Sequence, residues 1–220
     1  MIPKVLMQCI TSPNGNVDAS VVEQMRSRLG EGWEHQIFLL EDILRFFIEH
    51  PLEWCPDITQ QFLDIQSFSH RSDLFRYYWL YHNGGVYLDN DAMLQVNISE
   101  FVGDRYYFVS AFGIDMGAMC NGYLAAIPKH PLIEEVLHCA YNTDPDLLTR
   151  EYHTNVRTLY QKFHDMKYHL EPYRTKIYRE TRYQDEITTF EDGVYKCVDE
   201  YDNTLIMHYQ KSKTIPLSSA

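Results

Sequence analysis

The stretch "SDLFRYYWLYHNGGVYLDND", residues 72–91, joins a helix pattern to a short strand through a pair of glycines. Apolar and aromatic side chains recur at helical spacing from Leu74 to Tyr81, and Gly84 is the expected left-handed stop of that helix. The run "VYLD" then predicts a strand that starts directly after the glycines. A helix that passes at once into a strand favours an α/β fold.

Strand and helix patterns alternate in the rest of the chain as well. Apolar runs bounded by turn residues predict further strands at "IPKVLMQCI", "HQIFLL", "YYFVSAF", "GYLAAI", "VYKCV" and "TLIMHY". Helices are predicted from an Asp18 cap to Leu29, over "EDILRFFIEH" as far as Pro51, and at residues 131–141 and 149–163. We therefore expect a Rossmann-like α/β fold, in which a mixed sheet is flanked by helices and ligands bind beyond the carboxyl ends of its strands.

The size and composition of the chain limit the classes of protein to which it can belong. Its 220 residues suit a single domain over residues 1–220, and the 45% of apolar residues provide enough material for a buried core. The 31 acidic and 19 basic side chains give a formal charge of -12, which repels nucleic-acid phosphates and anionic lipids. We therefore expect no nucleic-acid partner.

Cysteine usage and the apolar runs indicate the compartment. The five cysteines are scattered, without a C-x-x-C pair, so we expect reduced, buried thiols and neither a disulfide framework nor a zinc site. No run reaches the ~18 uninterrupted apolar residues of a membrane span, and the start of the chain lacks a small-residue cleavage site. We expect no transmembrane segment and a cytoplasmic location.

Asp89 and Asp91 follow the predicted strand one residue apart, so their side chains project to the same side while Asn90 turns away. Two carboxylates on one wall repel each other unless a cation binds them, and oxygen ligands suit Mg²⁺ or Mn²⁺. Such an ion keeps open positions for water and for the phosphate oxygens of a substrate. A solvated turn and a phosphatase-type nucleophile are alternatives. An EF-hand does not fit, because Leu94 stands where that loop requires glycine.

Asp73 and Arg76 stand three residues apart on one face of the predicted helix, close to its N-terminus. Taken alone, they predict an exposed ion pair worth under ~1 kcal/mol, with Asp73 favourably placed at the positive end of the helix. The surrounding sequence is what favours a role in ligand binding.

Taken together, residues 72–91 resemble the signature of the DXD-motif sugar transferases, a family that includes bacterial toxin glucosyltransferases, fungal Golgi mannosyltransferases and capsular polysaccharide glycosyltransferases. That signature reads S-D-x-x-R, a helix, and then G-G-x-Y-x-D-x-D. Every fixed position is matched, by Ser72, Asp73, Arg76, Gly84, Gly85, Tyr87, Asp89 and Asp91. The opening "IPKVLMQ" and the later "NGYLAAIPKHPLIEEVL" are also similar to segments of that family.

The resemblance implies a GT-A fold, a divalent cation (Mn²⁺ or Mg²⁺) and a nucleotide-diphosphate sugar as donor, with UDP favoured and GDP open. The sugar would pass to an acceptor hydroxyl of a glycan or a protein, with retention of anomeric configuration. One alternative is a non-catalytic nucleotide-sugar or carbohydrate-binding module on the same fold, which the intact D-x-D disfavours. The other is a metal-dependent phosphohydrolase, which would release phosphate without an acceptor.

The resemblance also implies roles for the signature residues, with Asp73, Arg76, Asp89 and Asp91 as the catalytic set. Asp91 would bind the metal directly, and Asp89 would contact the ribose or the metal through water. Asp73 and Arg76 would hold the sugar hydroxyls, with Tyr87 packed beside them.

The predicted substrate site also includes residues beside the signature and at the end of the first strand. These are Met7, Gln8, Cys9, Ser72 and Asn90. Met7 stands where the family usually has histidine, and Ile10 stands where an aromatic residue usually helps to hold the nucleotide base. The identity of the base is therefore open.

Two polar residues in the middle of the chain each have two alternative roles. Asn121, at the start of a predicted strand, either contacts the acceptor or caps backbone groups. Asp115, in the loop "GIDMGAM", is a turn residue unless the reaction inverts configuration and needs a general base.

The C-terminal stretch "IMHYQKSK", residues 206–213, places a histidine and two lysines after an apolar strand in an otherwise acidic chain. Relatives of the family close the site with a C-terminal segment that carries a histidine, and His208 matches it. We expect His208 to complete the metal shell as a neutral imidazole or to contact the diphosphate, and Lys211, Ser212 or Lys213 to hydrogen-bond the phosphates. A mobile terminus is the alternative.

Overall fold

The computed structural model describes residues 1–13, 15, 19–184 and 193–209 of the chain. Helices and strands alternate along these residues, as the sequence predicts for an α/β protein. The helices are α1 (Ala19–Ser27), α2 (Leu40–Glu49), α3 (Ile58–Asp64), α4 (Phe68–Asn83), α5 (Ile98–Val102), α6 (Pro131–Asn142), α7 (Pro145–Arg150) and α8 (Thr154–Asp165). The strands are β1 (Val5–Ile10), β2 (Glu34–Leu39), β3 (Gly85–Leu88), β4 (Ala92–Leu94), β5 (Phe108–Gly113), β6 (Ala118–Ala126), β7 (Thr175–Arg182), β8 (Val194–Val198) and β9 (Thr204–Tyr209).

The described strands form one sheet in the order β2-β1-β3-β6-β5-β7-β8-β9-β4. The pairs β1–β2, β1–β3 and β5–β7 are parallel and the other pairs are antiparallel, so the sheet is mixed. Successive side chains enter two separate cores. Met7 packs into the core shared with α2, α4 and α6, and Leu6 packs into the core shared with α1 and α5. The predicted fold class, a mixed α/β sheet flanked by helices, is confirmed.

The sheet curls strongly, because residues 89–91 alone connect β3, third in the sheet, with β4, which is ninth. In a flat sheet six strand spacings amount to about 29 Å, whereas the link from Leu88 to Ala92 can span at most about 14 Å. The far end of the sheet therefore returns to the end of β3. The register of β4 with β9 then sets His208 opposite Ala92. The curl thus brings the C-terminal strand to the aspartate pair.

Helix α4 begins a full turn earlier than predicted, because the hydroxyl of Ser67 accepts a hydrogen bond from its first turn. Asp73 and Arg76 therefore lie inside the helix and not close to its N-terminus, which corrects that prediction. The helix stops at Gly84 as expected, with a φ of 62°, and a Cβ there would lie 2.6 Å from Pro128 Cδ. Only glycine fits this close passage between helix and strand.

Other differences from the prediction arise where the sequence pattern is weak. The predicted helix at 149–163 is two helices, α7 and α8, because Glu151 leaves helical geometry with a φ of -126° and a ψ of 89°. The prediction missed α3, α5, β4 and β7. In β7 only Tyr178 and Glu180 are buried, so its sequence "TKIYRETR" shows no apolar face. The predicted Asp18 cap lies outside the described residues.

None of the described helices combines the length and the apolar character that crossing a membrane requires.

Candidate active site

A cavity of about 570 Å³ opens where β1 and β3 end. Its wall is formed by the end of β1, the first turns of α4, the 89–91 turn, the middle of β6, the loop before α8 and one residue of β9. This is where α/β sheets usually bind ligands, beyond the carboxyl ends of parallel strands. The predicted site residues that line it are Cys9, Ser72, Asp73, Arg76, Tyr87, Asp89, Asn90, Asp91, Asn121 and His208.

Backbone hydrogen bonds hold the 89–91 turn against strands β6 and β9. The N–H of Asp89 donates to the Gly122 carbonyl at 2.7 Å, and the N–H of Tyr209 donates to the Asp91 carbonyl at 2.9 Å. A Cβ at Gly122 would lie 2.7 Å from Oδ2 of Asp89, so the absence of a side chain there makes room for the carboxylate. The two aspartates are thus fixed by the sheet on either side of them.

Asp89, Asp91 and His208 bring three potential ligand atoms to one point of the wall. The Nε2 of His208 lies 3.4 Å from Asp91 Oδ1 and 3.9 Å from Asp89 Oδ2, and the ligand atoms of the trio lie within 4.8 Å of one another. His208 is 3% exposed, whereas the side chain of Asp91 is 42% exposed at the cavity. The structure therefore brings the predicted metal-binding residues together.

The pKa values of this trio are shifted by burial and by mutual charge. Burial raises the pKa of Asp89, and the negative charge of Asp91 raises it further. The positive charge of Arg76 acts in the opposite direction but does not cancel the increase in this pKa. Burial also acts to raise the pKa of Asp91, but the hydrogen bond and charge of His208 outweigh it and lower the value. Burial lowers the pKa of His208, but hydrogen bonds to Asp91 and Glu180, among others, hold it well above its usual range. A bound divalent cation would relieve the carboxylate repulsion.

The chemistry of the trio fits a divalent cation with open coordination positions. Carboxylate oxygens suit Mg²⁺ and Mn²⁺ alike, and the imidazole shifts the preference towards a transition metal such as Mn²⁺. Because the trio occupies one wall of a cavity, further ligands would come from water or from a bound molecule. The arrangement is therefore suited to binding an anionic ligand through a cation.

Arg76 links the two carboxylate groups of the cavity. Its Nη2 lies 3.0 Å from Asp73 Oδ1 and 3.1 Å from Asp89 Oδ1, and its Nη1 donates to the Asn121 carbonyl. The guanidinium also covers the Tyr87 ring, with Cζ 4.2 Å from the ring centroid. Arg76 is only 3% exposed, so the weak exposed ion pair that the sequence suggested is wrong. Removal of the buried arginine would leave two carboxylates without their cation, so Arg76 matters to the fold as well as to the site.

Asp73 is enclosed by donors. Besides Arg76, it accepts hydrogen bonds from Asn121 Nδ2 at 2.8 Å and Asn155 Nδ2 at 2.9 Å, and His70 Nδ1 lies 3.2 Å from it. Burial raises the pKa of Asp73, but the charge of Arg76 and the hydrogen bonds from His70 and Asn155 outweigh it, so the pKa lies below its usual value. Both carboxylate oxygens are therefore held in place by protein groups.

The residues predicted beside the signature divide into two groups. Cys9 and Ser72 line the cavity, as does Asn90, whose amide donates to the Cys9 carbonyl at 2.8 Å. Gln8 lies behind the wall, where its amide donates to the Asp89 carbonyl at 3.2 Å. Met7 is fully buried and does not line the cavity, which corrects its predicted substrate contact, because the middle of β1 faces the core under α4.

The remaining predicted residues are three phosphate contacts near the C-terminus and one possible base. Lys211, Ser212 and Lys213 lie outside the described residues, so their phosphate contacts stay predictions. Asp115 lies between β5 and β6, where its carboxylate is 3.5 Å from Arg182 Nε, and it does not line the cavity. The structure thus supports its reading as a turn residue.

Three buried polar residues at the site escaped the sequence analysis. His70 and Asn155 are 1% and 3% exposed, and Asn155 belongs to "HTNVRT", a stretch of the predicted helix at 149–163 in which nothing marks Asn155 as buried. Glu180 is 1% exposed on β7, a strand that was missed. The alternation of Tyr178 and Glu180 in a charged segment was the available signal for that strand.

Comparison with known proteins gives a family match that includes the signature and extends beyond it. Residues 18–109 match the family described as "Glycosyltransferase sugar-binding region containing DXD motif". The chain is 28% identical over 107 residues to inositol phosphoceramide mannosyltransferase 1 of Schizosaccharomyces pombe, which covers 49% of this chain and 32% of that protein. It is 22% identical over 140 residues to an uncharacterized glycosyltransferase of Acanthamoeba polyphaga mimivirus, which covers 62% of this chain and 54% of that protein. The chain thus spans about a third and about half of the lengths of these relatives.

A solved structure shares the fold. The PaToxG glycosyltransferase superimposes with a TM-score of 0.54 at 13% identity, over 78% of this chain and 72% of that one. At this level of identity, the likeness is one of fold alone. In the matched residues and in its fold, the chain is therefore similar to glycosyltransferases that carry a DXD motif.

Proposed function

We propose that the chain transfers a sugar from a nucleotide-diphosphate sugar to a hydroxyl group of a glycan or a protein, with Mn²⁺ or Mg²⁺ and with retention of configuration. The observation that carries this proposal is the meeting of Asp89, Asp91 and His208 in one cavity, with Arg76 beside Asp89. A cation site next to a fixed positive charge suits a diphosphate. We favour UDP over GDP as the nucleotide, and the name of the fission-yeast relative makes mannose a sugar to test.

The transfer breaks the bond between the anomeric carbon and a diphosphate oxygen, forms a bond from the acceptor oxygen to that carbon, and releases the hydroxyl proton. Negative charge grows on the leaving diphosphate and positive charge grows on the sugar ring. A divalent cation held by Asp89, Asp91 and His208 would supply Lewis-acid stabilisation of the leaving group. Arg76 keeps Asp89 and Asp73 in position, and we expect Asp73 and Arg76 to bind sugar hydroxyls where they line the cavity.

Retention is supported by the acidic residues of the cavity. The carboxylates among its described lining residues are Asp73, Asp89 and Asp91. Asp73 is enclosed by donors, and the aspartate pair is assigned to the cation, so none is available to deprotonate an acceptor as inversion requires. The exposed His153 also lines the cavity, and an inverted product would identify it as the candidate base.

The proposal is tested by incubating the protein with UDP- and GDP-sugars in Mn²⁺, Mg²⁺ or excess chelator. We expect release of nucleoside diphosphate that stops with chelator and returns with Mn²⁺, and a first-formed product of retained configuration by NMR. Release of inorganic phosphate would instead indicate a phosphohydrolase. Donor binding with neither hydrolysis nor transfer would indicate a binding module. Turnover that persists in chelator contradicts the metal dependence.

A further inference from the structure

The buried carboxylate of Glu180 lies directly behind the proposed metal site. Glu180 is 1% exposed; its Oε1 lies 3.3 Å from His208 Nδ1 and accepts a hydrogen bond from the Tyr123 hydroxyl. The register of the sheet explains this proximity. Glu180 pairs with Cys197 and Cys197 pairs with Ile206, so His208, two residues further along β9, lies on the same face as Glu180.

The ring of His208 therefore has a carboxylate on each side. Its Nε2 lies 3.4 Å from Asp91, and its Nδ1 lies 3.3 Å from Glu180. A bare ring nitrogen facing a carboxylate is unfavourable, because both groups are hydrogen-bond acceptors. Glu180 therefore favours the form of the ring that carries a proton on Nδ1. The nitrogen left to bind a cation is then Nε2, on the side of the aspartate pair.

The fold alone does not account for a carboxylate at this position. Burying an ionised carboxylate costs on the order of several kcal/mol, and an apolar residue of similar volume is often as stable. The same-face neighbours Tyr178 and Cys197 belong to a hydrophobic core, which an apolar residue would suit. The Oε2 of Glu180 is buried without a hydrogen-bond partner in the described part of the chain. The carboxylate is therefore retained at a cost to stability, which points to a functional role.

We propose that Glu180 is a positioning residue for His208. By accepting a hydrogen bond from Nδ1 it fixes the tautomer and the orientation of the ring, so that Nε2 joins Asp89 and Asp91 in binding the cation. This inference rests on the metal site of the proposed function. Mutation of a carboxylate that orients a metal-binding histidine typically lowers metal affinity by about 10- to 100-fold.

A direct metal site is the competing explanation, because Cys120, Glu180 and His208 also have ligand-type atoms within 4.8 Å of one another. All three residues are buried. A thiol ligand suits zinc or another soft metal and does not suit Mn²⁺. Cys120→Ala therefore separates the two explanations, since it removes a ligand of the buried group and leaves the Glu180 hydrogen bond in place.

The test measures the affinity of the full chain for Mn²⁺ alone, from the EPR signal of the free ion. Glu180→Leu should weaken binding by about 10- to 100-fold. Glu180→Gln, which keeps an acceptor for Nδ1–H, should restore most of the affinity. Tyr123→Phe removes the other hydrogen bond to Glu180 and serves as the matched control, with Cys120→Ala. Both should leave the affinity nearly unchanged, and thermal unfolding checks that each variant is folded.

Three results would overturn the inference: unchanged Mn²⁺ affinity in folded Glu180→Leu, an equal loss in the Gln and Leu variants, or a large loss in Cys120→Ala. If Glu180→Leu does not fold, NMR of the metal-free wild-type protein with ¹⁵N-labelled histidine, at a pH at which the His208 ring is neutral, decides. We expect a proton on Nδ1 of His208, and a proton on Nε2 alone overturns the inference. Wild-type protein that binds no Mn²⁺ would contradict the proposed function, and the NMR result is independent of it.

Discussion

Asp73 and the aspartate pair, Asp89 and Asp91, share one cavity, but their negative charges are balanced in different ways. Asp73 is 6% exposed, and four protein groups contact its two oxygens. Asp91 has a 42% exposed side chain that pairs with His208 and otherwise meets the cavity, and Asp89 lies between the two with Arg76 on one side. Protein groups contact both oxygens of Asp73, whereas the aspartate pair still has open positions for a cation.

This difference separates two duties that the sequence signature does not distinguish. A buried carboxylate with several protein donors, such as Asp73, holds neighbouring groups in fixed positions, and its loss leaves those donors without partners. An exposed carboxylate such as Asp91 adds little to the fold and is available to a ligand. Substitutions at the two sites should therefore fail in different ways.

The largest effect is expected from Arg76→Ala, because Arg76 touches both groups. Its removal leaves Asp73 and Asp89 without their shared cation, and breaking a buried pair costs about 3–5 kcal/mol of unfolding free energy. Turnover should be lost as well. Urea denaturation measures the stability, with Arg45→Ala as the matched control, since Arg45 is 63% exposed and its pair with Asp42 spans 3.6 Å. Equal stability of the two variants would show that Arg76 has no structural role.

Asp91→Asn should disrupt the aspartate pair, Asp89 and Asp91, and leave the contacts of Asp73 intact. We expect metal-dependent turnover to fall on the order of 100- to 1000-fold, comparable to the loss of one transition-state contact, with almost no change in melting temperature of the metal-free protein. Asp115→Asn is the control, because this aspartate lies off the cavity and pairs with Arg182 at 3.5 Å. A large fall in melting temperature for Asp91→Asn would assign it a structural duty instead.

Asn155→Ala should weaken the set of contacts around Asp73 without touching Arg76. The change removes a 2.9 Å hydrogen bond to Asp73 and leaves a buried acceptor under-satisfied, which costs about 1–3 kcal/mol of unfolding free energy. Asn142→Ala is the matched control, since the amide of Asn142 donates to the His138 carbonyl on an exposed helix surface. Wild-type stability in Asn155→Ala would mean that the remaining donors are sufficient for Asp73.

The smallest expected effect is a pH dependence of the stability that Asp73 contributes. The folded pKa of Asp73 lies below its usual value, so the unfolded chain takes up the proton first as the pH falls. Its stabilisation is fully present above the unfolded carboxyl pKa of about 3.9 and is lost as the pH falls through the folded value. The stability gap between wild type and Asp73→Asn should therefore be constant near neutral pH and narrow below about pH 4. A gap that widens on acidification would reverse the assigned shift.

The features that the sequence predicted correctly are local. Helix α4, its stop at Gly84 and strand β3 depend mainly on the sequence of residues 72–91 itself. Periodicity and turn chemistry operate over such distances, so the pattern could be read without a structure. The wider family resemblance added His208, which the structure brings to the aspartates.

The features that could not be predicted depend on contacts between distant segments. The start of α4, the break at 151–153 and the short strand β4 lack strong local signals. Asn155 and Glu180 are polar residues in segments that read as ordinary surface, and they are buried because α8 and β7 pack against the site. No periodicity distinguishes a buried polar residue from an exposed one until its neighbours are known.

The amino-acid sequence alone was thus enough for the α/β class and for the signature of residues 72–91, since these follow from spacing along the chain. The fold was needed to show that one aspartate is enclosed and another open, and to bring Glu180 and His208 behind the 89–91 turn. The physical reason is the curl of the sheet: a three-residue link joins its third strand to its ninth and carries β9 to the end of β3.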